Sequence, residues 1–415
     1  MSTLIREPLA AEQIQPAAPA QPAAAAPARA PKPVRLTSLD AYRGFIMIAM
    51  ASSGLALAGA AKHFPDSAVM QSLGFHADHV PWIGCSFWDL IQPSFMFMVG
   101  VALPFSYASR KTRGDGDTRI LLHTIWRALL LTWLGVFLAS AWSSRTNWVF
   151  TNVLAQIGLG YVFVFLLVER GFAVQLAVLA FILVGYWLAF LLYPLPPAGF
   201  DFTKVGLTEG WPHLTGWFAH WDKNTNLAAV VDVWFLNLFP RAEPFRFNEG
   251  GYQTLNFVPS MGTMILGLMA GEWLRRPVSS ERKFWGLLAA GAVCLMLGLL
   301  AGWTVCPIVK RIWTPSWVLL SAGWTFGFLA AFYALIDLGG YKRWAFPLLV
   351  VGMNSIAIYL MSQLLRGFVR QSLRTHLGTW WFTGPFGSTV ELAAILVILW
   401  LICWWMYRRG IFLKI

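Results

Sequence analysis

Long apolar stretches separated by short polar ones run from residue 44 almost to the end of the chain. A helix that crosses a bilayer needs roughly 20 consecutive, mostly apolar residues. Ten stretches approach that length: 44–61, 86–107, 120–141, 150–168, 172–192, 255–273, 285–303, 316–337, 345–365 and 389–407. The pattern therefore predicts an all-α polytopic transmembrane helical bundle of about ten spans.

Composition supports a membrane protein and excludes a large soluble domain. Of the 415 residues, 57% are hydrophobic and 12% are charged, whereas soluble domains carry about 25% charged residues. The mean hydropathy is +0.59. Many of the 23 tryptophans lie near the ends of apolar runs, as in the aromatic belts at a lipid–water boundary.

The first 34 residues are rich in Ala, Pro and Gln and lack the apolar core of a signal peptide. This composition predicts a disordered tail in residues 1–34, followed by one transmembrane domain in residues 35–415. The alanine-rich tail and the compact length favour a location in a bacterial inner membrane. The lipid bilayer is therefore an expected partner of the protein.

The net charge of +12 does not indicate a nucleic-acid partner, because the basic residues lie in short clusters between apolar runs. Alternate loops carry most of them, which the positive-inside rule predicts for the cytoplasmic side. Both termini are then cytoplasmic. These clusters are Lys32, Arg35, Arg43; Arg110, Lys111, Arg113, Arg119; Arg275, Arg276, Arg282, Lys283; Lys342, Arg343; and Arg408, Arg409, Lys414. The loop 366–388, which this topology places outside, departs from the rule because it contains three arginines. Two interpretations stay open: a functional basic patch, or scatter in a weak rule.

This topology places residues 62–85 and 193–254 outside. The second segment interleaves aromatic rings with carboxylates, which suits a sugar but equally suits a structured cap on the membrane surface. Its members of interest are Trp211, His213, Trp217, His220, Trp221, Asp222, Asp232 and Glu249.

No pattern indicates a metal or a permanently bound cofactor. The four cysteines form no CxxC pair, and no phosphate-binding glycine loop is present. A disulfide between Cys85 and Cys306 stays open, because both lie near the outer face in this topology.

The segment 76–100, HADHVPWIGCSFWDLIQPSFMFMVG, carries the most chemistry. Asp89 falls a few residues inside a span, where an ionised residue is costly and a functional candidate by default. Pro81 and Gly84 make a straight helix from His79 onward improbable, so a bent entry can bring His79 beside Asp89. An Asp beside a His orients the ring and fixes its tautomer. An interfacial His with a capping Asp explains the residues equally well.

Three motifs resemble the heparan-alpha-glucosaminide N-acetyltransferase family, as a bacterial branch. The first is Ser38-x-Asp40-x-x-Arg43-Gly44. The second contains nine matched positions: His79, Trp82, Gly84, Asp89, Leu90, Pro93, Phe95, Phe97 and Gly100. The third is Gly352-Met353-Asn354-Ser355-Ile356, and 259–275 resembles the family's span after its long outer loop. The resemblance covers nearly all of the chain after residue 35.

The resemblance implies transfer of an acetyl group from cytoplasmic acetyl-CoA, as co-substrate, to an amino sugar or other envelope saccharide on the outer side. It makes His79 the catalytic residue, with Asp89 as its partner. Arg43, paired with Asp40, is the candidate for the CoA phosphates, with Arg110, Lys111 and Arg113 as further candidates. The expected lining residues are Asn354, Ser355, Gln92, Ser53 and Trp82. Interhelical hydrogen bonding is the alternative for the polar residues among them. The sequence also allows a homodimer.

One departure bears on the substrate. Family members often carry an Asn about ten residues after Arg-Gly, where this chain reads Ala51-Ser52-Ser53-Gly54. A serine hydroxyl donates and accepts through a single oxygen, so it cannot donate and accept as an amide does through two separate atoms. Two other classes remain as alternatives: a transporter, which predicts an internal repeat and a midplane polar site, and a non-catalytic membrane scaffold.

Overall fold

A computed structural model describes residues 36–413, and within that range the chain is helical, with one isolated antiparallel bridge, Ile83 to Val309, and no β-strand. The tail expected in residues 1–34, together with Arg35 and Lys414, lies outside the described residues. The α-helices are α1 Thr37–Ser52, α2 Leu57–Ala61, α3 Ala68–His76, α4 Ile91–Thr112, α5 Asp117–Ser140, α6 Val153–Phe165, α7 Phe172–Leu192, α8 Leu227–Leu236, α9 Phe257–Arg275, α10 Ser280–Thr304, α11 Pro315–Phe332, α12 Phe346–Gly352, α13 Ser355–Leu364, α14 Arg366–Leu377 and α15 Gly387–Arg408. Short 3-10 turns join several of them, and a π-helical turn, Tyr333–Leu338, extends α11.

The fold confirms the predicted polytopic helical membrane protein. Eight helical segments of residues 36–413 are long and apolar enough to cross a membrane, and a bent pair adds a ninth. The predicted span 150–168 forms the shorter helix α6. Thr151 at its start lines a cavity with His79, whereas the Glu169 amide beyond its end donates to Glu272 at the end of α9. Helix α6 therefore runs between the two faces of the bundle with the help of flanking turns.

Both ends of the described chain lie at the same face. The amides of Thr37 and Ser38 donate to the Asp337 carboxylate, each at 3.2 Å. This carboxylate supplies the acceptor that the start of α1 lacks in its own sequence. At the other end, the Leu413 amide donates to Asn354, which follows the α12 helix packed on α1. The arrangement agrees with the prediction that both termini share one side.

Helices α4 and α9 form the centre of the bundle, where their backbones touch. A Cβ on Gly100 would lie 2.0 Å from the Met264 carbonyl oxygen, and one on Gly267 would lie 2.1 Å from that of Phe97. A methyl group at either position would force the helices apart, so glycine is required there. The contact fixes the start of α4, which carries Asp89 in the 3-10 turn just before it.

The predicted span 345–365 is not one helix. Helices α12 and α13 meet at an angle of 66°. Asn354 occupies the break: its amide donates to the Ile411 carbonyl at 3.1 Å and accepts from the Leu413 amide at 3.1 Å. The C-terminal segment of the chain thus provides the hydrogen-bond partners of the Asn354 side chain at the break between α12 and α13.

The outer segment 193–254 is a packed cap. Asp222 is buried and accepts from the His213 ring at 2.6 Å and from the Trp211 indole at 3.4 Å. Trp221 is fully buried against Phe190. Trp211, His213, Trp221 and Asp222, which were candidates for sugar contacts, are therefore occupied by contacts inside the cap. Trp217 remains exposed.

The arginines of 366–388 have partners inside the protein. Arg370 and Arg374 pair with the buried carboxylate of Glu391, at 3.2 and 2.5 Å. Arg366 donates to the Ala51 carbonyl at 3.1 Å. These contacts give the departure from the positive-inside rule a structural reason, since the three charges join α14 to α15 and α1.

Asp232 of α8 gives the cap a measurable pH dependence. Its side chain is fully buried, Oδ2 accepts from the Thr254 amide at 2.9 Å, and Oδ1 makes no hydrogen bond within residues 36–413. Burial raises the pKa of Asp232 to about 6, against the opposing effect of that hydrogen bond. The native state therefore holds this proton more tightly than the unfolded state, so stability falls as pH rises from about 4 through 6.

We therefore expect Asp232→Asn to stabilise the protein above pH 7 by about 3 kcal/mol and to have no effect at pH 4. Unfolding measured in detergent between pH 4 and 8 checks this. A stability difference that does not change with pH would contradict it.

Candidate active site

The loop that carries His79 is held by the loop between α10 and α11. The Gly84 amide donates to the Ile308 carbonyl at 3.0 Å, beside the Ile83–Val309 bridge. Gly84 has φ of +122°, a conformation that favours glycine. The Trp82 indole donates to the Trp221 carbonyl at 3.1 Å and is buried against the cap. The loop is thereby fixed from both sides, and Trp82 acts as its anchor and does not line the cavity.

His79 and Asp89 are brought together as the bent entry predicted. His79 Nδ1 lies 2.7 Å from Asp89 Oδ1. The other carboxylate oxygen, Oδ2, accepts from the Val80 amide, the Ser86 amide and the Ser86 hydroxyl at 3.0–3.2 Å. The Asp89 side chain is 1% exposed and that of His79 is 32% exposed. A buried, fully bonded carboxylate thus holds a ring whose other edge is accessible.

Lys310 completes the cluster and was missed by the sequence analysis. Its Nζ lies 3.0 Å from His79 Nδ1 and 3.4 Å from Asp89 Oδ1. The side chain is 4% exposed. Burial lowers the pKa of Lys310 to about 8, and the Asp89 carboxylate opposes that fall. The ammonium also lies 5.8 Å from the Tyr252 ring centroid.

The geometry assigns a tautomer to His79. If Nδ1 carries the proton, it donates to Asp89 at 2.7 Å and Lys310 donates to the same carboxylate. If Nδ1 is bare, it accepts from Lys310 but turns a lone pair towards the carboxylate. The first arrangement makes the shorter contact, 2.7 Å, a hydrogen bond to the carboxylate, although it leaves the Lys310 ammonium and the Nδ1–H facing each other across 3.0 Å. It leaves the lone pair of Nε2 free, and Nε2 makes no hydrogen bond within residues 36–413.

A cavity of about 300 Å³ opens beside the ring. Gln92, an expected lining residue, lies in its wall. Residues from both halves of the chain enclose it: Met50, His79, Trp88, Ile91, Gln92, Thr151, Asn152, Val153, Tyr252, Lys310, Tyr359 and Gln363. Its volume is at the lower end of the range for small-molecule sites.

The other expected residues lie elsewhere. Asn354 binds the C-terminal segment, and Ser355 begins α13 beside it. Ser53 lies in the distorted turn after α1, with φ of +50°. Arg43 and Asp40 pair at 3.4 Å near the start of α1. Ser53, Asn354 and Ser355 are therefore not among the residues that line the cavity. Arg43 lies at the end of the bundle that is expected to be cytoplasmic.

A second, smaller cavity lies towards that end, among α4, α5 and α6. Arg110, His123, Arg127 and Tyr161 line it. Arg127, ten positions into the α5 span, donates to the Tyr161 hydroxyl at 3.0 Å and makes no ion pair within residues 36–413. A cation within a span, lacking a carboxylate partner there, is suited to an anion. The sequence signal was an Arg and a His inside a predicted span.

The described residues offer no metal centre, because no three His, Cys, Asp or Glu side chains among residues 36–413 converge as a metal would require. The four cysteines are free thiols, so Cys85 and Cys306 do not pair.

The chain is similar to two named proteins. It is 24% identical over 443 residues to heparan-alpha-glucosaminide N-acetyltransferase of Homo sapiens, covering 92% of this chain and 60% of the human protein. It is 23% identical over 380 residues to the Mus musculus protein of the same name, covering 80% of this chain and 54% of that protein. The chain thus spans little more than half the length of these relatives. No family model matches it.

Proposed function

Because this chain is a relative of the heparan-alpha-glucosaminide N-acetyltransferases, we propose that it is a transmembrane acyltransferase. It moves an acetyl or short acyl group from cytoplasmic acyl-CoA to an amino sugar or other envelope saccharide on the outer side. The observation that carries the proposal is the His79–Asp89–Lys310 cluster at the edge of a cavity. The matching motifs at His79 and Arg43 support the same assignment.

His79 supplies the reactive group through Nε2. In one route, Nε2 attacks the thioester carbonyl, the C–S bond breaks, and the acceptor then takes the acyl group from the imidazole. In the other, Nε2 removes the acceptor proton while the acceptor attacks the thioester directly. Either route places positive charge on the ring, which the buried Asp89 carboxylate stabilises.

Lys310 and the neutral lining groups stabilise negative charge on the carbonyl oxygen. The Lys310 ammonium is buried beside the ring, where electrostatic stabilisation is stronger than in water. Gln92 supplies a neutral amide donor on the wall of the same cavity. Lys310 therefore has two roles, as the Asp89 counter-ion and as a donor to the developing oxyanion.

The donor's phosphates would bind at the cytoplasmic end, at Arg43 or in the pocket of Arg110 and Arg127. Charge-assisted hydrogen bonds to phosphate are about twice as strong as neutral ones. Helix α4 connects this pocket to the cavity, since Arg110 lies near its end and Gln92 near its start. Arg110 is 18 positions after Gln92, a rise of about 27 Å along the helix.

We expect purified protein in nanodiscs to bind acetyl-CoA, with Arg43→Ala weakening the affinity about tenfold or more and His79→Ala leaving it unchanged. Calorimetry measures this. Arg282→Ala is the matched control, because Arg282 is an exposed arginine of the same predicted side and makes no ion pair within residues 36–413. Folded protein that binds no short acyl-CoA would refute the proposed function, since a transporter or scaffold has no need of it.

A further inference from the structure

Trp88 is the one tryptophan among the described residues that line the cavity beside His79. It begins the 3-10 turn Trp88–Leu90 that leads into α4, so the turn that places Asp89 also fixes the indole. The residue is half-buried: it packs against the hydrophobic core and also borders the cavity. Its Nε1 donates no hydrogen bond within residues 36–413. The cavity therefore contains a flat aromatic side chain with an unused N–H donor.

Neutral amides and phenols make up much of the polar lining. The side chains of Gln92, Gln363 and Tyr252 border the cavity and make no hydrogen bond within residues 36–413. Amides and phenols both donate to and accept from hydroxyl groups. An aromatic wall with a few convergent polar groups is the usual form of a small-molecule site. This combination matches a pyranose, which has a face of C–H groups and a rim of hydroxyls.

The other tryptophans of the outer side are less suited to hold an acceptor beside His79. Trp82 and Trp221 are buried and joined by a hydrogen bond to the cap backbone. Trp217 is 56% exposed but does not line the cavity. A sugar on Trp217 would therefore lie outside the cavity that contains the imidazole, whereas a sugar on Trp88 would lie inside it.

The spacing of Trp88 and His79 suits one sugar ring. Their ring centroids are 6.4 Å apart and their planes are inclined at 53°. A sugar ring in contact with the indole lies about 4 Å from it, so a substituent on that ring can reach the edge of the imidazole. His79 Nε2 makes no hydrogen bond within residues 36–413, and its lone pair can accept a proton from an amine placed there.

We propose that Trp88 is the platform on which the pyranose ring of the acceptor stacks, with an amine of that sugar directed at His79 Nε2. Gln363 binds a hydroxyl of the same ring. The inference rests on the proposed acyltransferase function and adds to it the residue that recognises the acceptor. Trp88 selects the sugar by contact and takes no part in the chemistry.

The test measures acetyl transfer to methyl glucosaminide by the full chain in nanodiscs, with labelled acetyl-CoA and unfolding followed in parallel. Trp88→Met removes the flat ring but fills the core gap with an adaptable apolar side chain, and Trp88→Phe keeps an aromatic ring. We expect Trp88→Met to raise the KM for the glucosaminide about tenfold with kcat little changed. Trp88→Phe should give a KM between those of Trp88→Met and the wild type. Gln363→Leu should also raise this KM with kcat little changed, because the amide binds a hydroxyl that does not react.

Ethanolamine is the matched acceptor, because it has a primary amine and no sugar ring. Loss of stacking should leave transfer to ethanolamine unchanged, so the glucosaminide-to-ethanolamine ratio of kcat/KM should fall about tenfold in Trp88→Met. Displacement of His79 or Asp89 would lower transfer to both acceptors alike. An unchanged ratio, or a fall in kcat at constant KM, would therefore overturn the inference.

Trp217→Leu is the control for a sugar site on the cap, and its KM for the glucosaminide should equal that of the wild type. A KM that rises in Trp217→Leu and not in Trp88→Met would place the sugar on the cap and overturn the inference, with the acyltransferase function intact. Wild-type protein that binds acetyl-CoA but does not acetylate the glucosaminide would overturn it in the same way. Protein that neither binds acetyl-CoA nor transfers acetyl groups would refute the proposed function itself.

Discussion

Replacement of His79 by alanine should lower the rate of acetyl transfer by a factor of about 10²–10⁴, the usual contribution of a positioned acid–base group. The imidazole is the group in the cavity wall that combines a free nitrogen lone pair with an orienting carboxylate. Its side chain is 32% exposed, so its removal leaves little empty core. The measurement is acetyl transfer to a saccharide acceptor, with unfolding followed in parallel.

The matched control is His63→Ala. His63 is an exposed histidine in the outer segment 62–85, and its side chain makes no hydrogen bond within residues 36–413. That variant should transfer acetyl groups at the wild-type rate. Retention of most activity in His79→Ala, with protein that binds acetyl-CoA normally, would move the chemistry away from this ring.

If His79 carries out the chemistry, substitutions at His79 and at the cavity wall should affect kcat and KM differently. A residue that acts in the transition state lowers kcat and kcat/KM together, whereas a residue that merely binds substrate raises KM. His79→Ala is expected to show the first pattern and Gln363→Leu the second. The contrast separates the chemical group from the wall that surrounds it.

The spans were predictable because a bilayer imposes a length and an apolar composition on every helix that crosses it. The exceptions have local causes. The apolar run 150–168 is shortened because the Asn152 side chain caps α6 and a turn follows Phe165. The run 345–365 bends because the C-terminal segment, more than fifty residues later, inserts its hydrogen bonds at Asn354. Neither the cap nor the insertion changes the hydropathy of the run.

The candidate site was half predictable for a related reason. His79 and Asp89 lie ten residues apart, with Pro81 and Gly84 between them, so local sequence indicated their approach. Lys310 is 231 positions from His79, and its contact exists because the two loops meet across the bundle. The signal available was two adjacent cations, Lys310 and Arg311, in an outer loop that topology predicts to be poor in charge.

The residue types show which side chains need a hydrogen-bond partner, but they do not show which group that partner is. Trp82 was expected in the lining, but its indole finds the Trp221 carbonyl in the cap. Asn354 was expected there as well, and its amide is used by the backbone of Ile411 and Leu413. Gln92, Gln363 and Tyr359 face the cavity because α4 and α13 turn them inward, a rotation that hydropathy alone leaves undetermined.

The Asp89–Lys310 pair should contribute strongly to stability as well as to activity. Asp89→Asn removes the charge that compensates a lysine with 4% of its side chain exposed. Removing one member of a buried ion pair costs about 3–5 kcal/mol, because the other charge is left without a partner. We therefore expect Asp89→Asn to lower the free energy of unfolding by that amount and to lower acyl transfer as well, since a neutral amide stabilises the imidazolium charge less than the carboxylate does.

Lys310→Met alone should also destabilise the protein, though less, because Asp89 keeps the Val80 and Ser86 donors at 3.0–3.2 Å. The double variant Asp89→Asn/Lys310→Met removes both charges, so its loss of stability should be smaller than that of Asp89→Asn alone. Unfolding of the three variants in detergent gives the coupling free energy, expected at about 1–3 kcal/mol. Arg119→Ala removes a side chain that is 80% exposed, and it should change stability by less than about 1 kcal/mol.

The same double variant separates stability from catalysis. If Asp89 serves His79 chemically, the double variant should recover stability but transfer acetyl groups far more slowly than Lys310→Met alone, because a neutral amide does not stabilise the imidazolium charge as the carboxylate does. If the carboxylate serves solely to neutralise Lys310, the double variant should recover stability and transfer acetyl groups as fast as Lys310→Met alone. Additive losses in the two single variants would contradict the buried pair altogether, since independent sites show no coupling.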